Sequence, residues 1–187
     1  MRPLVSALLL SLALALVPGS SGTAPAQAAP AGLVVSTNSW GKLRLAMTAE
    51  RAQRTGMVST TPSGCAAGYE MTPRFANRGF VVWTRSGSTF KVDQIVVRTA
   101  RDRTAKKVGV GSTLAQLRRA YPGLSAVRSG AAVRGSSPSG DDVWIASYTR
   151  RGKGTISFQF AFGVRPKSSS KVDTVIVARK PQVYYGC

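Results

Sequence analysis

Two stretches of this chain follow one plan. Lys42-Leu43-Arg44-Leu45-Ala46-Met47-Thr48 leads into Ala49 to Gly56, and Lys107-Val108-Gly109-Val110-Gly111-Ser112-Thr113 leads into Leu114 to Tyr121. Each is later closed by a matching segment, Lys91-Val92-Asp93-Gln94-Ile95-Val96-Val97-Arg98 in the first case and Lys171-Val172-Asp173-Thr174-Val175-Ile176-Val177-Ala178 in the second. Repetition at both the start and the end of a segment implies one supersecondary unit made twice. The expected fold class is α+β: two tandem repeats, each a short helix or helix pair packed on an antiparallel sheet. The first unit is placed at residues 40–103 and the second at 104–187, after a leader at 1–28 and a flexible lead-in at 29–39.

Local signals give the elements within each unit. Thr48 is positioned to cap a helix over Ala49 to Thr55, with Gly56 ending it. Thr113 with Gln116 three residues on is a capping-box pattern, and Leu114, Leu117 and Tyr121 share one helical face before Pro122-Gly123. Phe80 to Arg85 and Phe90 to Thr99 read as a hairpin turning at Ser86-Gly87-Ser88. Val143 to Arg150, Thr155 to Phe162 and Lys171 to Arg179 read as three successive antiparallel strands. Ile156, Phe158, Phe160 and Phe162 alternate with Thr155, Ser157, Gln159 and Ala161, which predicts a half-buried strand. Ser59 to Gly68 is expected to be a loop and Ser129 to Asp141 an exposed loop around a weak strand, and the charged and polar segment Arg101 to Lys107 is taken as the unit boundary.

The N-terminus has the form of an export signal. Arg2 precedes an uncharged apolar run from Leu4 to Val17, and Ala26-Gln27-Ala28 is a small-x-small cleavage site, so a secreted or extracellular product starting near Ala29 is expected. In an oxidising compartment two cysteines pair more often than not, and Cys65–Cys187 is the one intramolecular pairing open to this chain.

The chain has 26 Lys and Arg against 7 Asp and Glu, for a formal charge of +19. All but Arg2 lie beyond the expected leader. A field of that size favours anionic partners and keeps copies of the chain apart. Histidine is missing altogether, which excludes Ser-His-Asp and Cys-His catalysis and most zinc sites. Asp93 and Asp173 occupy matched strand starts and read as turn or cross-strand partners of Lys or Arg. Asp141-Asp142 lacks the spaced ligands of a calcium loop. Gly109-x-Gly111 lacks the rest of a phosphate-binding loop, and Ser168-x-x-Lys171 sits in a turn, not at a helix start. No catalytic, cofactor or metal residues are assigned. The expected working surface is Trp40, Trp83, Trp144 and Tyr148 on an open sheet face, with Arg51, Arg54, Arg118 and Arg119 on the helices.

With both repeats in view, the chain resembles a known arrangement. A short strand, a Gly-Met-Thr or Gly-Ser-Thr turn, a helix ending at Gly or Tyr-Pro and then an antiparallel sheet is similar to the β-lactamase-inhibitor-protein fold. Outer-membrane-assembly lipoproteins of the SmpA/OmlA type share one such unit, and uncharacterised secreted proteins of high-GC Gram-positive bacteria carry it twice. The matching residues are Leu43, Leu45, Met47, Thr48, Ala52 and Gly56, then Val108, Val110, Gly111, Thr113, Leu117 and Tyr121. Ala46 departs from the pattern, which has Gly there. The resemblance is one of structure, and the inhibitor family's activity is not carried over with it; the lack of catalytic residue types and the strong positive field point to a secreted, non-enzymatic binding or envelope-associated protein, inhibitor-like in engaging a protein through an exposed sheet face. The alternative is an electrostatic binder of anionic cell-wall polymer, and a hydrolase with a Ser-Lys or carboxylate pair comes last. No specific nucleic-acid recognition and no membrane span beyond the leader are expected.

Overall fold

Twelve strands and three short helices make up the described residues, 31–62, 69–130, 143–161 and 163–180 of a computed structural model. In chain order they are β1 (Val34–Val35), β2 (Ser39–Trp40), β3 (Leu43–Arg44), α1 (Ala49–Gln53), β4 (Val58–Pro62), β5 (Tyr69–Met71), α2 (Pro73–Ala76), β6 (Gly79–Ser86), β7 (Thr89–Val97), β8 (Arg103–Thr104), α3 (Leu114–Ala120), β9 (Arg128–Gly130), β10 (Val143–Arg150), β11 (Gly154–Phe160) and β12 (Val172–Ala178). The fold is mixed α+β and dominated by sheet. No helix among the described residues is long and apolar enough to cross a membrane. The expected leader, Cys65, Cys187 and the Asp141-Asp142 pair lie outside the described residues.

The main sheet is antiparallel with the order β6-β7-β12-β11-β10-β9. The two expected hairpin ends, β6-β7 and β11-β12, meet edge to edge through β7 and β12. Their register places Val96 opposite Ile176, Val97 opposite Val175 and Ile95 opposite Val177. Ile95, Val97, Val175, Val177, Ile156 and Phe158 therefore share one face, because directly opposed residues in a sheet point the same way. That face packs under Ala49 and Ala52 of α1 and Leu114 and Leu117 of α3, in one core that draws on both halves of the chain. Each aliphatic side chain taken fully from water there contributes about 1.5–3 kcal/mol.

The two halves use the same backbone contacts. Ala46 N donates to Val92 O (2.7 Å) and Val92 N to Met47 O (2.8 Å); Gly111 N donates to Val172 O (2.8 Å) and Val172 N to Ser112 O (2.9 Å). Thr48 bridges Lys91, and Thr113 bridges Lys171. A bulge falls between Val82 and Trp83 opposite β7, and another between Gln159 and Phe160 opposite β12. Ala46 and Gly111 both lie in the left-handed region, at φ 62 and 81. The missing glycine at position 46 thus leaves the backbone path unchanged, with alanine bearing a conformational cost of about 1 kcal/mol.

The helix caps match their sequence signals. Thr113 Oγ1 accepts from Gln116 N (3.2 Å) while Gln116 Oε1 accepts from Thr113 N (2.8 Å), a complete capping box. Thr48 Oγ1 accepts only a long 3.4 Å bond from Arg51 N. Two expectations need correction. β11 is buried on both faces, not half-buried: Thr155, Ser157 and Gln159 are as inaccessible as Ile156, Phe158 and Phe160. A hydroxyl ladder satisfies part of its polar side, Ser147 Oγ to Ser157 Oγ and Thr149 Oγ1 to Thr155 Oγ1, each 2.9 Å. Within Arg101 to Lys107, β8 pairs in parallel with β1 in a second sheet ordered β3-β2-β1-β8. The segment after α1, read as loop from Ser59 onward, instead supplies β4, paired with β5 in a third sheet, and the short helix α2 follows.

Candidate functional site

The expected aromatic surface is largely core. Trp40 is fully buried against Phe75 (6.2 Å, edge to face), and Trp83 is buried against Tyr69 (5.6 Å). Trp144 and Tyr148 share a strand face as expected, but it is the face that carries Ala146 onto the core. Tyr148 lies 4.6 Å from Tyr121 and is half-buried. Burial pushes the Tyr121 phenol above its ordinary pKa, with the Thr104 side chain opposing and Tyr148 adding to the shift. Trp144 is half-buried, with Arg165 stacked over its ring at 5.9 Å. A sheet this small must fill its volume with large side chains, so its aromatics turn inward.

The four helix arginines are exposed as expected. Arg54 meets Glu50 at 3.5 Å in an exposed pair, of a kind that contributes little to stability. Nothing in the fold gathers Arg51, Arg54, Arg118 and Arg119 into one pocket; they decorate two separate helices.

Asp102 is the buried acid that sequence reasoning passed over. Its carboxylate accepts from Leu33 N (2.6 Å), Trp40 Nε1 (2.9 Å), Arg78 Nε (3.1 Å) and Arg78 Nη2. Arg78 is itself buried and stacks over Phe75 at 5.3 Å. The cluster joins β1, β2, the end of α2 and the segment before β8. With every acceptor position engaged by the fold, it is a clasp and offers no reactive group. Its local signal was weak, because the partners lie 62 and 24 residues away from Asp102 in sequence.

One cavity gathers functional groups that the fold does not consume. It encloses about 440 Å³ and is lined by Asn38, Leu45, Ala46, Thr149, Arg150, Gly152, Lys153, Gly154 and Arg179. Three separate segments build it: the β1–β2 turn with the strand leading to α1, the β10–β11 turn, and the end of β12. Arg150 pairs with Gly154, and Thr155 pairs with Ala178, which brings Arg179 opposite Gly154 at the end of the ladder. Two arginines therefore flank a residue with no side chain. Gly154 takes φ 107, and a Cβ there would overlap the Thr37 carbonyl oxygen, so only glycine lets the β1–β2 turn close over this edge. Among the described residues, Arg150, Lys153 and Arg179 make no ion pair, and no carboxylate lines the cavity. The described residues also contain no group of three or more His, Cys, Asp or Glu able to hold a metal.

No protein-family model, curated protein or solved structure matches the chain.

Proposed function

We propose that this is an exported, non-enzymatic binding protein for an anionic polymer of the cell envelope. One observation carries the reading. The sequence holds 26 Lys and Arg against 7 Asp and Glu, so the cations outnumber the acids that could neutralise them by 19. That excess of positive charge favours a multiply charged anionic chain, which can meet many cations at once. We further propose that the protein is one αβ unit made twice. Support comes from the matched Ala46–Val92 and Gly111–Val172 contacts, the two bulges at like positions, and a β7–β12 register symmetric about Val96 and Ile176. The likeness to the β-lactamase-inhibitor-protein unit and the Cys65–Cys187 staple belong to the same proposal.

Retention on immobilised polyglycerol phosphate tests the binding claim. The protein is expected to bind at 50 mM NaCl and to lose at least about tenfold in affinity by 500 mM, as screening shortens the reach of its charges. No retention at low salt, or retention indifferent to salt, would refute it. A protein partner at the sheet is the second reading, favoured by one observation: half-buried Trp144 with Arg165 across its ring at the β9–β10 margin.

A further inference from the structure

We propose that the cavity at the β10–β11 turn is a discrete seat for a phosphate group; this rests on the polyanion reading above and names the anion. The groups that reach it match a tetrahedral oxyanion such as phosphate better than a carboxylate. Arg150 and Arg179 supply two planar forks that engage tetrahedral oxygens in pairs, and Lys153 adds a compact charge. Asn38 has its Oδ1 occupied by a hydrogen bond from Ser36 Oγ (3.0 Å), so the part of its amide left for a ligand is the Nδ2 donor. The side chains with charge or a committed orientation are thus all donors. A carboxylate, with two oxygens, would leave several of them idle; a phosphate can answer more of them.

The fold holds these groups without spending them. The strands that carry the two arginines are separated by β11 and so lie about 10 Å apart, with the Thr37 carbonyl closing over Gly154 between them. Long guanidinium arms span that gap toward a shared ligand. Leu45, whose Cδ1 lies over Gly154, and Ala46 add apolar surface suited to the carbon skeleton that bears the phosphate. A volume of about 440 Å³ admits a small phosphorylated group or one repeat of a phosphate-linked chain, not a bulky ligand.

The test compares two variants that remove equal charge. One carries Arg150→Gln, Lys153→Gln and Arg179→Gln; the other carries Arg51→Gln, Arg118→Gln and Arg119→Gln on the helices. All six side chains are exposed, so both proteins are expected to fold, which thermal melts verify. Calorimetric titration with inorganic phosphate, glycerol 3-phosphate and acetate is the readout. The cavity variant is expected to lose at least about tenfold in affinity for both phosphates, each lost charged hydrogen bond being worth that much. The helix variant should stay within about twofold of the parent, and acetate should bind weakly to all three proteins. Equal losses in the two variants, or acetate binding as well as phosphate, or no phosphate binding by the parent protein, would overturn the proposal. Polymer retention is scored separately. Phosphate binding that survives when retention on polyglycerol phosphate is absent sinks the polymer reading and leaves the seat standing; the reverse pattern sinks the seat alone.

Discussion

Replacing Asp102 by Asn is the sharpest perturbation of the fold. The change keeps the side-chain volume but removes the charge and turns one acceptor into a donor. Four donors converge on this carboxylate, from Leu33, Trp40 and twice from Arg78. Asn can rotate to accept from two of them, and its own NH2 then faces the others. Arg78, only 6% exposed, is left as an uncompensated buried cation. Breaking one side of such a pair costs about 3–5 kcal/mol. Because Asn retains part of the bonding, the lower end applies, about 3 kcal/mol. That corresponds to a fall of roughly 10 °C in melting temperature for a domain of this size. Urea titration followed by tryptophan fluorescence is the natural assay, since Trp40 loses its own partner in the mutant. Arg78→Met combined with Asp102→Asn completes a cycle. The double mutant should be more stable than the two single losses predict, by about 1–3 kcal/mol, because neither charge is then stranded. A loss below about 1 kcal/mol for the single change, or losses that simply add, would refute the clasp.

The two left-handed turn residues, Ala46 and Gly111, give predictions of opposite sign. Gly111→Ala should cost about 1–2 kcal/mol, since an added Cβ meets nothing within 4 Å and the cost is conformational alone, whereas Ala46→Gly should stabilise by up to about 1 kcal/mol; chemical denaturation of the two variants checks both signs. The caps should differ as well. Thr113→Ala is expected to cost about 1–2 kcal/mol through loss of a complete capping box, and Thr48→Ala about 0.5 kcal/mol, given its single long bond, with thermal melts showing the order.

How legible the chain was depends on the range of the forces at each place. The caps at Thr48 and Thr113, the inward face of Leu114, Leu117 and Tyr121, and the hairpins around Gly87 and Gly152 rest on residues within a few positions of each other. Propensity, capping chemistry and periodicity act at that distance, so the sequence alone determined these elements, together with the lack of histidine and the strong positive charge. The β4–β5 pair, the parallel β1–β8 contact and the double burial of β11 were not readable, because each depends on which distant strand lies alongside. Alternation in β11 describes the chemistry of its two faces. Whether the polar face meets water is decided by what else the fold packs there.

The same division holds for the site. Aromatic residues beside arginine suggested a surface, but an indole is both a filler of cores and a maker of contacts, and composition does not distinguish the two uses. Tertiary structure put Trp40 and Trp83 inside, tied Asp102 to partners from three distant segments, and drew Arg150, Lys153 and Arg179 around a glycine that only close approach of the β1–β2 turn requires. The sign of the field was written along the chain, since charge sums without regard to geometry. That three of these cations line one cavity came from folding, because convergence is a property of positions in space.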